Sequence, residues 1–293
     1  MRVIFHIEGG LGKHIMATAI LKVIKKHHPK DKIHVVCAYT DVFKNNPLVD
    51  EIHQNGQHGS FYKDYIQGKE SETKIYFTDP YTHSDFILEQ DHLYEIWCKQ
   101  WGLQYDGEKP QIHLTQSEID YFTPFYRTDK PILAIHPNGG PQIQKFNYSW
   151  TRDIPESTVL DVIDRFKESH TIVHIKREDQ KQYPNTLHAL DGYRSIAILL
   201  MLSDKRLLID SFSQHLSAAL GLKSTVCWIT TKPKVFGYNL HDNIQANKWD
   251  LKVDYPNNLY QPFSLSQDIT SCPYSNTNKI FNSSKIINSI KQQ

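Results

Sequence analysis

Sulfur is scarce in this chain. Its 293 residues include three methionines and four cysteines. Cys37, Cys98, Cys227 and Cys272 are far apart, form no Cys-x-x-Cys pair, and fall mostly inside apolar or aromatic segments. That pattern excludes a disulfide scaffold and fits reduced thiols in a cytoplasmic protein. Long apolar runs are also missing. No stretch approaches the roughly 20 residues a membrane-spanning helix needs, and the opening MRVIFHIEGG is interrupted too early to read as a signal peptide. Neither sign of charge dominates: 33 Lys and Arg face 32 Asp and Glu, a formal net charge of +1. Composition therefore advertises no surface for nucleic acid. Sixteen histidines are present, yet no paired His/Cys ligand motif emerges, so neither a metal site nor a cofactor is expected.

What the chain does have is a pattern of short apolar runs ending in polar or glycine-rich turns. The clearest is Arg206 to Ile229. Leu207, Leu208 and Ile209 read as a strand buried on both faces, stopping at Asp210-Ser211. Ser211 or Ser213 can cap a helix carrying Leu216, Ala219 and Leu220, Gly221 can end it, and Ser224 to Ile229 supplies the next strand. A helix that starts at such a sheet edge offers free backbone N–H groups and positive dipole to a phosphate or diphosphate. His215 falls in its first turn, within reach of the same anion.

The N-terminal region repeats the design. Val3 to Ile7 is a strand, Glu8 to His14 a glycine-rich turn, and Met16, Ala19, Ile20, Val23 and Ile24 mark one face of a helix. Pro29 closes it, and Ile33 to Cys37 is the next strand of a parallel βαβ unit. Asp41 to Ile52 reads as a short helix, a turn at Asn46-Pro47, and a strand. Gln54 to Thr73 reads as an irregular loop anchored by Tyr62 and Tyr65. Ile75 to Thr78 is a strand followed by a turn at Asp79-Pro80-Tyr81, and Asp91 to Trp101 a helix stopped by Gly102. Trp97 and Trp150 read as packing residues. A boundary between Thr115 and Lys130 precedes a second set: strand Ile132 to His136, loop Pro137-Asn138-Gly139-Gly140-Pro141, helix Pro155 to Glu168, strand Thr171 to Ile175, and apolar helix Arg194 to Ser203. The fold class is α/β, with two facing Rossmann-like domains and a ligand cleft between them. The expected divisions are residues 1–125, residues 126–275, and a C-terminal helix in 276–293 packing back on the body.

These pieces in this order resemble glycosyltransferase family 9, the ADP-heptose:lipopolysaccharide heptosyltransferase-like enzymes of GT-B fold. The resemblance runs to about Phe236. It rests on Glu8-Gly9-Gly10-Leu11-Gly12, on Asn46-Pro47-Leu48-Val49-Asp50-Glu51-Ile52, on Ile135-His136-Pro137-Asn138-Gly139-Gly140, on Arg152-Asp153-Ile154-Pro155, and on Asp210-Ser211-Phe212-Ser213-Gln214-His215-Leu216. It implies an inverting, metal-independent transfer of a sugar from a nucleotide-diphosphate donor to a glycan or lipid-linked saccharide acceptor. The donor would be held by Asp210, Ser211, Phe212 and His215, with Arg152 neutralising the departing diphosphate, Glu178 on the ribose, and Gly10 and Gly12 approaching from the N-terminal domain. A lipid-linked acceptor would further require peripheral contact with the inner face of a membrane.

One departure bears on mechanism. Where the family has an Asp that deprotonates the acceptor, this chain has Lys13, and a protonated lysine is no base. Glu8 or His14 then has to serve, or Lys13 contacts a phosphate. Phe212 replaces a family glycine and limits close backbone approach. Two further readings stay open: a GT-B sugar-nucleotide epimerase, and a non-catalytic protein that binds sugar nucleotides or glycans.

Overall fold

Buried β-rich runs and amphipathic helices alternate as the pattern predicts. The computed structural model describes residues 1–139, 151–248, 251 and 272–293. Gly140, Pro141 and Trp150 lie outside the described residues. The chain divides into two compact units, Met1–Thr115 and Gln116–Gln293.

The first unit runs β1 (Arg2–Ile7), α1 (Leu11–His27), β2 (Lys32–Cys37), β3 (Glu51–Gln54), α2 (Phe61–Tyr65), β4 (Thr73–Tyr76), α3 (Ser84–Ile87) and α4 (Leu93–Lys99). Its sheet has the order β3-β2-β1-β4, with every pairing parallel. Val3, Phe5 and Ile7 alternate onto one face, as period-two geometry requires, and are fully or almost fully buried. That face receives α1, through Met16, Ala19, Ile20, Val23 and Ile24, and the aromatic end of α4. The ring of Phe5 meets Trp97 and Trp101 edge-on at 6.0 and 5.8 Å, an arrangement favoured by ring quadrupoles. Trp97 is therefore the packing residue its helical spacing implied. The segment from Gln54 to Thr73 is less irregular than expected, because it contains α2. Its anchors also differ: Tyr62 is 62% exposed, whereas Phe61 and Tyr65 lean on one another at 4.8 Å and both contact His53.

The second unit runs α5 (Gln116–Phe122), β5 (Ile132–Ile135), α6 (Glu156–Phe166), β6 (Thr171–His174), β7 (Leu187–His188), α7 (Tyr193–Leu202), β8 (Lys205–Ile209), α8 (Phe212–Ala219), β9 (Thr225–Trp228), α9 (Pro233–Phe236), β10 (Asp242–Gln245) and α10 (Ser283–Lys291). Its parallel sheet has the order β10-β9-β8-β5-β6-β7. The division falls after Thr115, earlier than the break after residue 125, and an ion pair gives α5 its place. Glu118 on α5 receives two hydrogen bonds from the guanidinium of Arg194 on α7, a bidentate pairing with fixed geometry. α10 docks Ile286 and Ile290 into the same core as Val159, Val162, Ile163 and Phe166 of α6. Burying a side chain of that size contributes roughly 1.5–3 kcal/mol, enough to hold a short terminal helix in place.

Candidate functional site

In an open parallel sheet the strands on either side of a reversal in order splay their C-terminal loops apart, and a ligand fits between them. The first sheet reverses between β1 and β4, the second between β5 and β8. The residues singled out from sequence cluster at these two edges.

At the first edge, Glu8 follows β1 with its carboxylate exposed, 3.9 Å from the His6 ring. Gly9 takes a left-handed φ of +97°, and an added Cβ would stand 3.1 Å from the Lys13 side chain. That turn requires glycine. Gly10 occupies the N-cap position of α1 in open space, with no side-chain cap, and Gly12 lies in the helix's first turn. The other base candidate, His14, and Lys13 both point inward. His14 is fully buried; its Nδ1 meets the Gly10 carbonyl at 2.9 Å, and its Nε2 accepts from the Ala38 N–H at 3.3 Å. Burial lowers its pKa, so a neutral imidazole ties the start of α1 to the end of β2. Lys13 is 6% exposed. Its ammonium donates to Asp79 Oδ1 at 3.0 Å and faces the rings of Tyr81 and Trp97 at 4.9 and 5.5 Å. A carboxylate and two aromatic faces stabilise a charged lysine. The same Asp79 oxygen accepts from the Tyr81 N–H, so the turn after β4 fixes the partner of a lysine that begins α1.

The second edge is built mainly from neutral groups. His136 follows β5, and its Nδ1 lies 2.6 Å from the Ser213 hydroxyl. Burial pushes its pKa down to about 4. Asp153, 1% exposed, accepts from the Gly139 N–H at 2.8 Å and from Asn138 at 3.2 Å, which fixes the loop after β5. Gly139 packs tightly, since a Cβ there would stand 3.0 Å from Ile209 Cδ1 and 3.5 Å from Arg152. Across the reversal, Asp210 accepts from the Thr231 hydroxyl at 2.5 Å. Burial raises its carboxyl pKa, with Arg152 and Thr231 pulling it back. Ser211 holds the N-cap position of α8, yet neither it nor Ser213 caps the helix through a side chain; Ser213 is turned inward to His136. The Phe212 ring lies 5.2 Å from that of His136, tilted by 58°. His215 is 5% exposed, with Nδ1 2.9 Å from the Tyr238 hydroxyl. Glu178 is exposed in the turn after β6.

Fold comparison agrees with the two parallel sheets. A glycosyl transferase family 9 structure from Veillonella parvula aligns with 99% of this chain and 96% of its own, at TM-score 0.67 and 13% identity. The chain shares the GT-B-like fold of that family. Escherichia coli ADP-heptose lps heptosyltransferase II aligns with 84% of this chain and 90% of its own, at TM-score 0.61 and 12% identity. The iron-containing dodecameric glycosyltransferase TibC from enterotoxigenic E. coli aligns with 99% of this chain and 75% of its own, at TM-score 0.65 and 12% identity. No protein-family model matches the sequence, and no curated protein does.

Sequence reasoning missed four elements here. Asp79 is far from Lys13 in sequence, and only the strand order brings them together. Asp153 and Tyr238 act through contacts no motif encodes. Linear spacing also gave no sign that His34, Glu51 and His53 converge on one face of the first sheet, with their nitrogens and a carboxylate oxygen within 4.8 Å of one another. Among the described residues no helix is long and apolar enough to cross a membrane.

Proposed function

We propose that this protein is a glycosyltransferase that moves a sugar from a nucleotide-diphosphate donor to a glycan or lipopolysaccharide-like acceptor. The observation that carries this reading is the second sheet's reversal point. There the N-terminus of α8, without a side-chain cap, and the side chain of Arg152 flank a loop fixed by the buried carboxylate Asp153. The Phe212 N–H at the start of α8 suits a diphosphate, while the Ser211 N–H is engaged by the Ile209 carbonyl at 2.7 Å. Arg152 supplies the charge that stabilises the leaving group, the part a metal plays elsewhere. His215 is held near that helix start by Tyr238, and Glu178 is the candidate for the ribose hydroxyls. ADP-heptose is the first donor to try, because structures of similar fold carry it in their names.

The transfer is a single displacement. The acceptor oxygen bonds to the anomeric carbon as the bond from that carbon to phosphate breaks, the electron pair leaves with the diphosphate, and configuration inverts. The acceptor proton goes to a carboxylate. We assign it to Glu8, which is exposed at the end of β1, while His14 and Lys13 are engaged inside the unit. Those inward engagements equally favour a second reading, a protein that binds a sugar nucleotide without turning it over.

A thermal-shift titration with ADP-, GDP-, UDP- and CDP-sugars tests the donor site. A selective stabilisation lost in Arg152→Ala and His215→Ala supports it, and no shift with any donor overturns it. Glu8→Gln separates the two readings in an acceptor screen. Under the first, wild type transfers and the variant loses about 10²–10⁴-fold in kcat with donor stabilisation intact. Under the second, wild type binds donor and transfers to nothing.

A further inference from the structure

The first sheet has a second chemically equipped face, opposite the one covered by α1. Glu51 and His53 are alternate residues of β3, so both side chains project to the same side. His34 lies beside Glu51 in the β2–β3 register. Three potential ligand atoms result, one from each residue. His34 Nδ1 is 3.3 Å from His53 Nε2, and each of these nitrogens is 3.4 Å from Glu51 Oε2. The imidazole rings stack with only 6° between their planes.

We propose that His34, Glu51 and His53 form a binding site for a divalent cation of the zinc class. The equal sides of the triangle carry this. Tetrahedral coordination at about 2.0–2.1 Å places neighbouring donor atoms about 3.3–3.4 Å apart. Octahedral right angles at about 2.1 Å would place them about 3.0 Å apart. Hydrogen bonding accounts for the triangle less well. A proton on one nitrogen serves one edge at a time, and all three edges exceed the usual N–H···O range of about 2.7–3.2 Å. The donor set, two imidazoles and one carboxylate, suits a borderline cation better than magnesium or calcium.

The surroundings support the same assignment. Tyr65 donates its hydroxyl to Glu51 Oε2 at 2.9 Å, the outer contact that orients a ligating carboxylate. Its ring meets His34 and His53 edge-on at 5.1 and 5.0 Å, and Phe61 meets His53 at 5.0 Å. Both histidines are nearly buried while Glu51 is 46% exposed, so a cation has a path in from the carboxylate side. The Arg2 guanidinium, over the Tyr65 ring at 5.2 Å, opposes a cation; Asp50 on the same edge acts the other way. Three protein donors leave a fourth position for water or an oxygen of a bound ligand. Occupancy ties β3 to β2 and fixes the α2 segment above them.

The test uses the full chain, stripped with a chelator and titrated with Co²⁺ under visible absorption, then with Zn²⁺ as competitor. The expected result is one equivalent of Co²⁺ with the intense ligand-field bands of tetrahedral coordination, displaced by Zn²⁺. Glu51→Gln, on the exposed rim and near-isosteric, keeps the fold by circular dichroism and weakens Co²⁺ binding at least about tenfold; His53→Gln does the same. His188→Gln, an exposed histidine of the second unit, changes nothing. No saturable uptake, or uptake and bands unaltered in Glu51→Gln, overturns the site and assigns any binding to surface histidines.

Discussion

At the reversal point of the first sheet, the helix start carries a buried cation that the chain itself neutralises: Lys13 on α1 meets Asp79 beyond β4. At the reversal point of the second sheet, the helix start carries His215 and Ser213, and the charge nearby belongs to Arg152 and a buried Asp210. The dipole of each helix favours an anion at its N-terminus. Neither helix start has a side-chain cap. In the first unit a lysine stands there and Asp79, across the reversal, offsets its charge; in the second unit no such internal pair stands at the helix start among the described residues, which leaves it the better place for an anion from elsewhere. Two copies of one supersecondary design are thus specialised, and the proposal that the donor diphosphate goes to the second unit follows from the difference.

The comparison breaks most easily at Lys13 and Asp79. Removing Asp79's charge leaves an ammonium only 4% exposed with aromatic faces as its compensation, whereas removing Lys13 leaves a carboxylate that is 50% exposed and still hydrated. Breaking a pair from the exposed side strands the buried charge and costs about 3 kcal/mol or more. Asp79→Asn is therefore expected to lower unfolding stability by about 3 kcal/mol, Lys13→Met by about 1 kcal/mol, and the double variant by less than Asp79→Asn alone. Urea midpoints of the three variants measure this. Equal costs for the two single variants would mean that Lys13 is not the member that depends on the pair, and the contrast with the second unit would fail.

Much of this was legible in the sequence, for a physical reason. Short apolar runs and i, i+3, i+4 spacing report burial directly, so β1, β5, α6, α7 and β8 stand within a residue or two of expectation, whereas α1 begins at Leu11, inside the turn expected from Glu8 to His14. The glycine turn at Gly9 and the Asp210-Ser211 stop were visible because backbone conformation and sheet edges restrict residue type. Strand order was not visible, and everything that depends on it was missed: Asp79 beside Lys13, and His34 beside Glu51. Glu51-Ile52-His53 did carry a signal, since alternate residues of a strand share a face, but its partner on β2 needed the register. The inward turn of His14 was equally hidden. A histidine at a helix start reads as exposed until a neighbouring strand end offers it an N–H.

Acidity probes the second unit through its neutral interior. Burial pushes His136 and His241 down to about 4 and His174 to about 3. These groups bind protons in the unfolded state first as pH falls below their ordinary value of about 6.5, so ∂ΔG/∂pH is positive there. The stability they protect is fully present above about pH 6.5 and declines as pH falls toward 4. At pH 5 each costs about 2 kcal/mol by this linkage. His174 gives the sharpest test. It is fully buried, and among the described residues neither ring nitrogen has a hydrogen-bond partner. His174→Leu is expected to change stability little at pH 7 and to recover about 2 kcal/mol of the loss at pH 5, read from thermal unfolding at both pH values. A variant with the pH slope of the wild type would remove His174 from the account.

The smallest effect distinguishes the two glycine turns themselves. Gly10 has φ −80° and ψ 170°, a conformation open to any residue, and nothing lies within 4 Å of an added Cβ. Gly139 is crowded, with Ile209 Cδ1 at 3.0 Å and Arg152 at 3.5 Å from that position. Ile209 is fully buried and has little room to yield, so the added methyl strains the core by about 1 kcal/mol and displaces Arg152. Gly10→Ala is expected to lie within about 0.5 kcal/mol of wild type. Gly139→Ala is expected to lose about 1 kcal/mol in urea and to show a smaller thermal shift on adding donor, because Arg152, proposed to meet the diphosphate, has moved. If Gly10→Ala proved the costlier substitution, the first turn would be the tightly packed one, and the division between a self-neutralised helix start and a ligand-receiving one would have to be reversed.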